Sequence, residues 1–176
     1  MTKQYYLEKS IDNGGKTSYY DIPHDIKNLQ QFFELNNYTL NQQLIFKFLC
    51  FIGKSTYQIN TKKYLEILKN ELQMFLEGIV FSTDNEEINK SKNKIIQELN
   101  KFDIDFTSKK FNHFKECQDF IDYFEMDFNI GTAFKVAFCF NRSRHSGTNE
   151  EREYFKIIYA IQAEINKLQK KIQLKI

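Results

Sequence analysis

The chain has no tryptophan, one proline and six glycines in 176 residues. So few breakers leave little to interrupt helices, and long helices are the expectation. Cysteine is scarce as well. Cys50, Cys117 and Cys139 are odd in number and follow no paired spacing, which excludes a disulfide framework and predicts buried, reduced thiols in a reducing cytosol. Charge of one sign is lacking too. A formal net charge of +2 gives no strong pull toward nucleic acid or a membrane surface. The longest apolar stretch, 44–52, is broken by Lys47 and falls far short of the ~20 residues a membrane helix needs. After Met1 come Thr2, Lys3, Gln4, Tyr5 and Tyr6, with no apolar region of the signal-peptide kind. A cytoplasmic location without membrane contact is the expectation.

What remains is ordinary globular material: 41% hydrophobic and 27% charged, with the aromatic supply concentrated in 18 Phe and 10 Tyr. The chain also repeats itself. Phe32, Asn41, Lys47 and Lys54 each have a counterpart 88 residues on, in Phe120, Asn129, Lys135 and Arg142. After a loop the offset becomes 90, setting Tyr64 and Leu65 against Tyr154 and Phe155. A repeat of this length predicts two copies of one helical unit. The expected fold is all-α, with two pseudo-symmetric three-helix units joined by a connecting helix. The segments are 1–24 (N-terminal), 25–78 (first repeat), 79–110 (connecting helix and loop) and 111–176 (second repeat with a long C-terminal helix).

Apolar spacing places the elements. The first repeat has a helix through Ile26, Leu29, Phe32 and Phe33, closed by Asn36 and Asn37. A second, capped by Thr39 or Asn41, carries Leu44, Ile45, Phe48, Leu49 and Ile52 and ends at Gly53. After a loop over 55–60, Thr61 opens a third. The second repeat has helices near 114–124, 129–140 and 150–174. A connecting helix runs over 84–102, and 103–110 is irregular. On the last helix Tyr154, Ile158, Ile161, Ile165, Leu168 and Ile172 form a stripe. It packs either inside the chain or as a homodimer seam.

Few motifs carry chemistry. Ser10 to Thr17 approaches the phosphate-binding loop, but Ser10 stands at the first glycine, where a side chain resists the required backbone. No buried strand precedes it, so a surface turn is expected. His113 and Cys117 are four apart, and His145 adds a third donor, yet no fourth ligand accompanies them and no metal or cofactor is predicted. Cys117 with His113 lacks an orienting third residue for nucleophilic catalysis. The retained polar positions are the better candidates: Asn41 and Asn129 at helix starts, and Lys47 and Lys135 inside apolar helices. Such a lysine lays its stem on the core or serves an anion site, helped by Lys54 or Arg142. Arg142, Arg144 and His145 make the second site the more basic and mark their loop as a contact element.

Residues 113–121, then Met126, Phe128, Gly131, Ala133, Phe134 and Lys135, resemble the SaV-like family of small phage proteins. That family runs H-Y, then an I-D-x-I helix, then F-x-x-G-N-A-I-K-Y-L-x-R. The first repeat resembles it through His24, Phe32, Leu40, Phe46, Lys47, Gly53 and Lys54. The resemblance covers about 110 residues and implies a phage origin, a host-cell cytoplasmic setting and a helical fold. One branch of the family is linked to nucleotide kinase activity. The family's arginine falls here on Phe51 and Cys139, and its Gly-Asn pair becomes Gly131–Thr132 and Gln43–Leu44. Phosphoryl transfer needs several fixed cations and a metal, so these losses favour binding over catalysis. The expected function is a non-enzymatic binding protein for a host protein, a host-defence inhibitor being one instance, or for a nucleotide-like anion. The alternative is a nucleotide kinase-like enzyme. The candidate binding residues are Asn41, Lys47, Lys54, His113, Asn129, Lys135, Arg142, Arg144 and His145. Nucleic acid is disfavoured by the near-neutral charge.

Overall fold

The fold is described from a computed structural model, which covers residues 20–55, 61–76, 97, 111–142 and 149–174. Its named elements are six helices: α1 (Leu29–Leu35), α2 (Leu40–Ser55), α3 (Thr61–Leu76), α4 (Cys117–Tyr123), α5 (Phe128–Phe138) and α6 (Glu150–Gln173). No strand occurs among the described residues, only an isolated bridge between Asp21 and Glu116. The all-α class is what the proline- and glycine-poor composition dictates. The connecting helix expected over 84–102 lies outside the described residues apart from Gln97, which is helical, and so do 103–110 and the Ser10 to Thr17 turn.

Caps fix where each helix begins. Asn28 accepts from the Gln31 amide, Asp127 from Ile130 and Asn149 from Arg152. At α2 the choice falls on Thr39. Its Oγ1 accepts from Gln42 N–H at 3.2 Å, and Gln42 Oε1 takes the Thr39 amide at 3.0 Å. That reciprocal pair satisfies two orphan donors and leaves Asn41 inside the first turn. The helix anticipated from residue 114 starts instead at Cys117. Lys115 and Glu116 are drawn into contact with the segment before α1, where Ile22 N–H donates to Lys115 O at 2.7 Å.

The ends of α1 and α4 match bond for bond at the 88-residue offset. Asn37 and Glu125 both take positive φ, 52° and 51°. Tyr38 N–H reaches Phe33 O and Met126 N–H reaches Ile121 O, each at 3.0 Å. Asn37 N–H to Glu34 O and Glu125 N–H to Asp122 O are both 3.1 Å. Each is a Schellman end, which turns the chain sharply into the next helix.

α2 and α5 run antiparallel through the core. Phe46 meets Phe134 at 4.8 Å between centroids, and Gln42 bonds Asn141 at the other end. Phe32, Phe46, Phe120, Phe134 and Phe138 are fully buried and touch between α1–α2 and α4–α5. The Tyr38 hydroxyl donates to the carbonyls of Ala137 and Phe138 at 2.8 and 2.7 Å, satisfying the open end of α5. Gly53 does not end α2, which continues to Ser55. A Cβ there would lie 2.8 Å from both Phe124 O and Met126 Cγ, so the glycine permits close approach of the next unit. α6 packs on α5 and α3 through Tyr154, Ile157, Ala160, Ile161 and Ile165, which makes the upper part of its stripe an intrachain seam. Ile172 and Leu174, at the far end, are exposed.

Candidate functional site

A groove of about 840 Å³ opens where α5, α6 and α3 meet, beside Tyr20. α5 offers Thr132, Lys135 and Val136, which share a face by their spacing of three and four. α6 supplies Arg152, Phe155, Lys156, Tyr159 and Gln162 along one side, and α3 contributes Lys69. Among the described lining residues four are cations and none is a carboxylate. Lys69 Nζ donates to Gln162 Oε1 at 2.7 Å, a bond to a neutral group, and it pairs with no carboxylate among the described residues. Lys135, Arg152 and Lys156 pair with no carboxylate among the described residues. The floor is apolar through Val136, Ile158 and Ala160. Phe155 is 54% exposed and Tyr159 80%, and neither makes a ring contact among the described residues. The site therefore offers positive charge, apolar floor and two uncovered rings together. Its size lies within the usual range for ligand pockets.

The sequence candidates scatter around this groove. Lys135 lines it, and it is exposed, not buried as its apolar helix suggested. Lys47, its counterpart, is half-buried with its ammonium 5.8 Å from the Phe33 ring centre. Arg142 is packed inside. Its guanidinium carbon lies 4.6 Å from the ring centres of both Phe32 and Phe138, and Nε donates to Asn36 Oδ1 at 3.1 Å. With 6% exposure it cannot serve as the surface contact that its basic neighbours suggested, because the turn at Asn141 (φ 64°) directs it into the ring cluster. His113 is exposed and Asn41 half-buried, both away from the groove lining. The side chain of Lys54, and all of Arg144 and His145, lie outside the described residues.

Asn129 belongs to a separate polar cluster between α5 and α6. It donates to Glu164 Oε2 at 2.8 Å. Lys167 Nζ bonds Asp127 Oδ2 at 2.5 Å and Glu164 Oε1 at 3.1 Å. Glu164 is fully buried, and burial together with the adjacent Asp127 charge raises its pKa above the ordinary 4.5. Asp127 moves below 3.8: burial opposes this, but bonds from Lys167, Glu164 and the Ile130 amide outweigh it. Through Lys167 and Asn129 the cluster pins the start of α5 to α6. All three cysteines are buried, free thiols. Burial pushes the Cys117 thiol far above its usual range, which removes it as a nucleophile. Among the described residues no cluster of three or more His, Cys, Asp or Glu could hold a metal, and no helix is long and apolar enough to cross a membrane.

The groove residues Arg152, Phe155, Lys156 and Tyr159 were not singled out by sequence reasoning. Their signal was present in two large aromatics off the apolar stripe of the last helix, each beside a cation one turn away. Comparison with protein-family models, with curated proteins and with solved structures finds no match to this chain.

Proposed function

We propose that the protein works by binding an anionic partner or ligand in the α3–α5–α6 groove, without turnover. One observation carries this reading: among the described residues, four cations and no carboxylate surround an apolar, ring-flanked floor. Like charges gathered in one cleft repel each other unless an anion joins them, so the arrangement spends stability in a way that binding repays. The described lining also holds no carboxylate or histidine to move a proton at neutral pH, which favours binding over a nucleotide kinase-like reaction. The likeness to SaV-like phage proteins supports a phage-encoded protein of the host cytoplasm. Inhibition of a host defence component is then one fitting role, and the exposed end of α6 at Ile172 and Leu174 is where a homodimer contact would form. We also infer that the two units are copies related by a pseudo-two-fold axis. The matched Schellman ends and the Phe46–Phe134 pairing of equivalent positions support it.

Calorimetry of ATP and of polyglutamate against the wild type and the triple variant Lys135→Glu, Arg152→Glu, Lys156→Glu tests the groove. Binding that weakens with salt and vanishes in the triple variant is expected. Unchanged binding in the variant would place the anion site elsewhere. Incubation with nucleoside mono-, di- and triphosphates plus magnesium tests the absence of turnover. Sustained phosphate transfer that is lost in Lys135→Ala would establish the kinase alternative.

A further inference from the structure

We infer that the groove's occupant is an acidic, aromatic-bearing stretch of polypeptide from a partner protein. The inference rests on the anion-binding reading above and names the class of anion. The cations are distributed along the groove. Lys69 is held at the level of Gln162, and Arg152 lies ten residues away along α6, a rise of about 15 Å. That length matches about five residues of extended chain carrying carboxylates at intervals. A phosphate group instead asks for donors converging on one point, commonly the amides of a helix N-terminus. The N-terminus of α6 is closed to that use. Asn149 already takes the Arg152 amide at 2.8 Å, and Glu150, Glu151 and Glu153 occupy the first turn.

The rings point the same way. Phe155 and Tyr159 stand four residues apart, 54% and 80% exposed, with Arg152 and Lys156 interleaved on the same helical face. Large exposed rings next to cations are what protein interfaces use as anchors, with Tyr and Arg among the enriched residues. Charge complementarity selects an acidic partner, and the uncovered rings select apolar or aromatic side chains between its carboxylates.

Fluorescence anisotropy on labelled synthetic peptides tests this. One set alternates Asp with Tyr, a second alternates Asp with Ser, and a third alternates Asn with Tyr. ATP, tripolyphosphate and a single-stranded oligonucleotide serve as rival anions. The Asp-Tyr peptide should bind best, with replacement of either its acids or its rings weakening it about tenfold. Phe155→Ser with Tyr159→Ser should weaken it by a similar factor and leave the melting transition in place, because both rings face solvent. If ATP, tripolyphosphate or the oligonucleotide binds and the peptide does not, the peptide inference fails and the anion groove stands. If no anion of any class binds, the groove reading fails and the inference fails with it.

Discussion

At the scale of single residues, burial decides what a charge can do. Arg142 and Lys135 are both cations of the second unit. Arg142 lies between two rings in the core, whereas Lys135 faces the groove. Arg142→Met should lower unfolding stability by about 2 kcal/mol, the order of a desolvated cation–π contact, and leave groove binding unchanged. Urea unfolding and anisotropy on the same variant check both halves. Glu164 gives a pH prediction. Its folded pKa is raised, so its contribution is complete below its unfolded value near 4.5 and is lost as pH rises through the folded value. Asp127 is depressed, so its contribution holds above 3.8 and is lost as pH falls through its lower folded value. Glu164→Gln keeps a neutral group able to bond Asn129 and Asp127. Wild-type stability should therefore fall relative to this variant as pH rises above 4.5, read from urea midpoints across an upward pH series. Parallel curves would show that Glu164 does not titrate there.

At the scale of elements, helices 90 residues apart differ in charge. At the 90-residue offset, Arg152 and Lys156 of α6 correspond to Lys62 and Glu66 of α3. In α3 the two form an i,i+4 ion pair at 3.6 Å. In α6 the charges add, and they line the groove. Lys156→Glu should recreate the α3 arrangement on α6, with Arg152 neutralised and anion binding weakened more than tenfold, because one cation is removed and a second is occupied. Binding retained at wild-type strength would show that the groove charge is not what recruits the ligand. The same scale sets the role of Gly53. Gly53→Ala would gain helix propensity in isolation. Here its Cβ meets a backbone carbonyl at 2.8 Å, so α2 and the chain before α5 must separate. A net loss of about 1–3 kcal/mol is expected, measured by thermal or urea unfolding.

At the scale of the whole molecule, the segments 25–78 and 111–176 share one core. Phe120, Phe134 and Phe138 of the second are fully buried, in part against Phe32 and Phe46 of the first. α6 seals against α3 as well as α5. A polypeptide of residues 111–176 alone would expose those rings and the Lys69-facing side of α6. It should show no cooperative melting transition by circular dichroism, whereas the full chain should show one. A cooperative transition in the fragment would make the repeats separable domains.

Local chemistry determined the helices themselves. Apolar spacing marked all six to within a few residues, with the starts of α1 and α4 each three residues too early, the turn at Asn36 and Asn37 was legible as a stop, and the unpaired spacing of the cysteines foretold buried thiols. These properties depend on neighbours three or four residues away, which a linear sequence displays directly. The start of α4 was misjudged because Lys115 and Glu116 pair with a segment more than ninety residues earlier. Gly53 read as a helix end because glycine usually marks one, and only the approach of Phe124 and Met126 gives its real reason. The groove was the least legible feature. Lys69, Lys135 and Arg152 come from three helices, and which face of each stays uncovered depends on how the other two pack. The sequence supplied the charges and rings, and tertiary packing decided that Arg142 would be buried among phenylalanines while Lys135, Arg152 and Lys156 would gather with no carboxylate between them among the described residues.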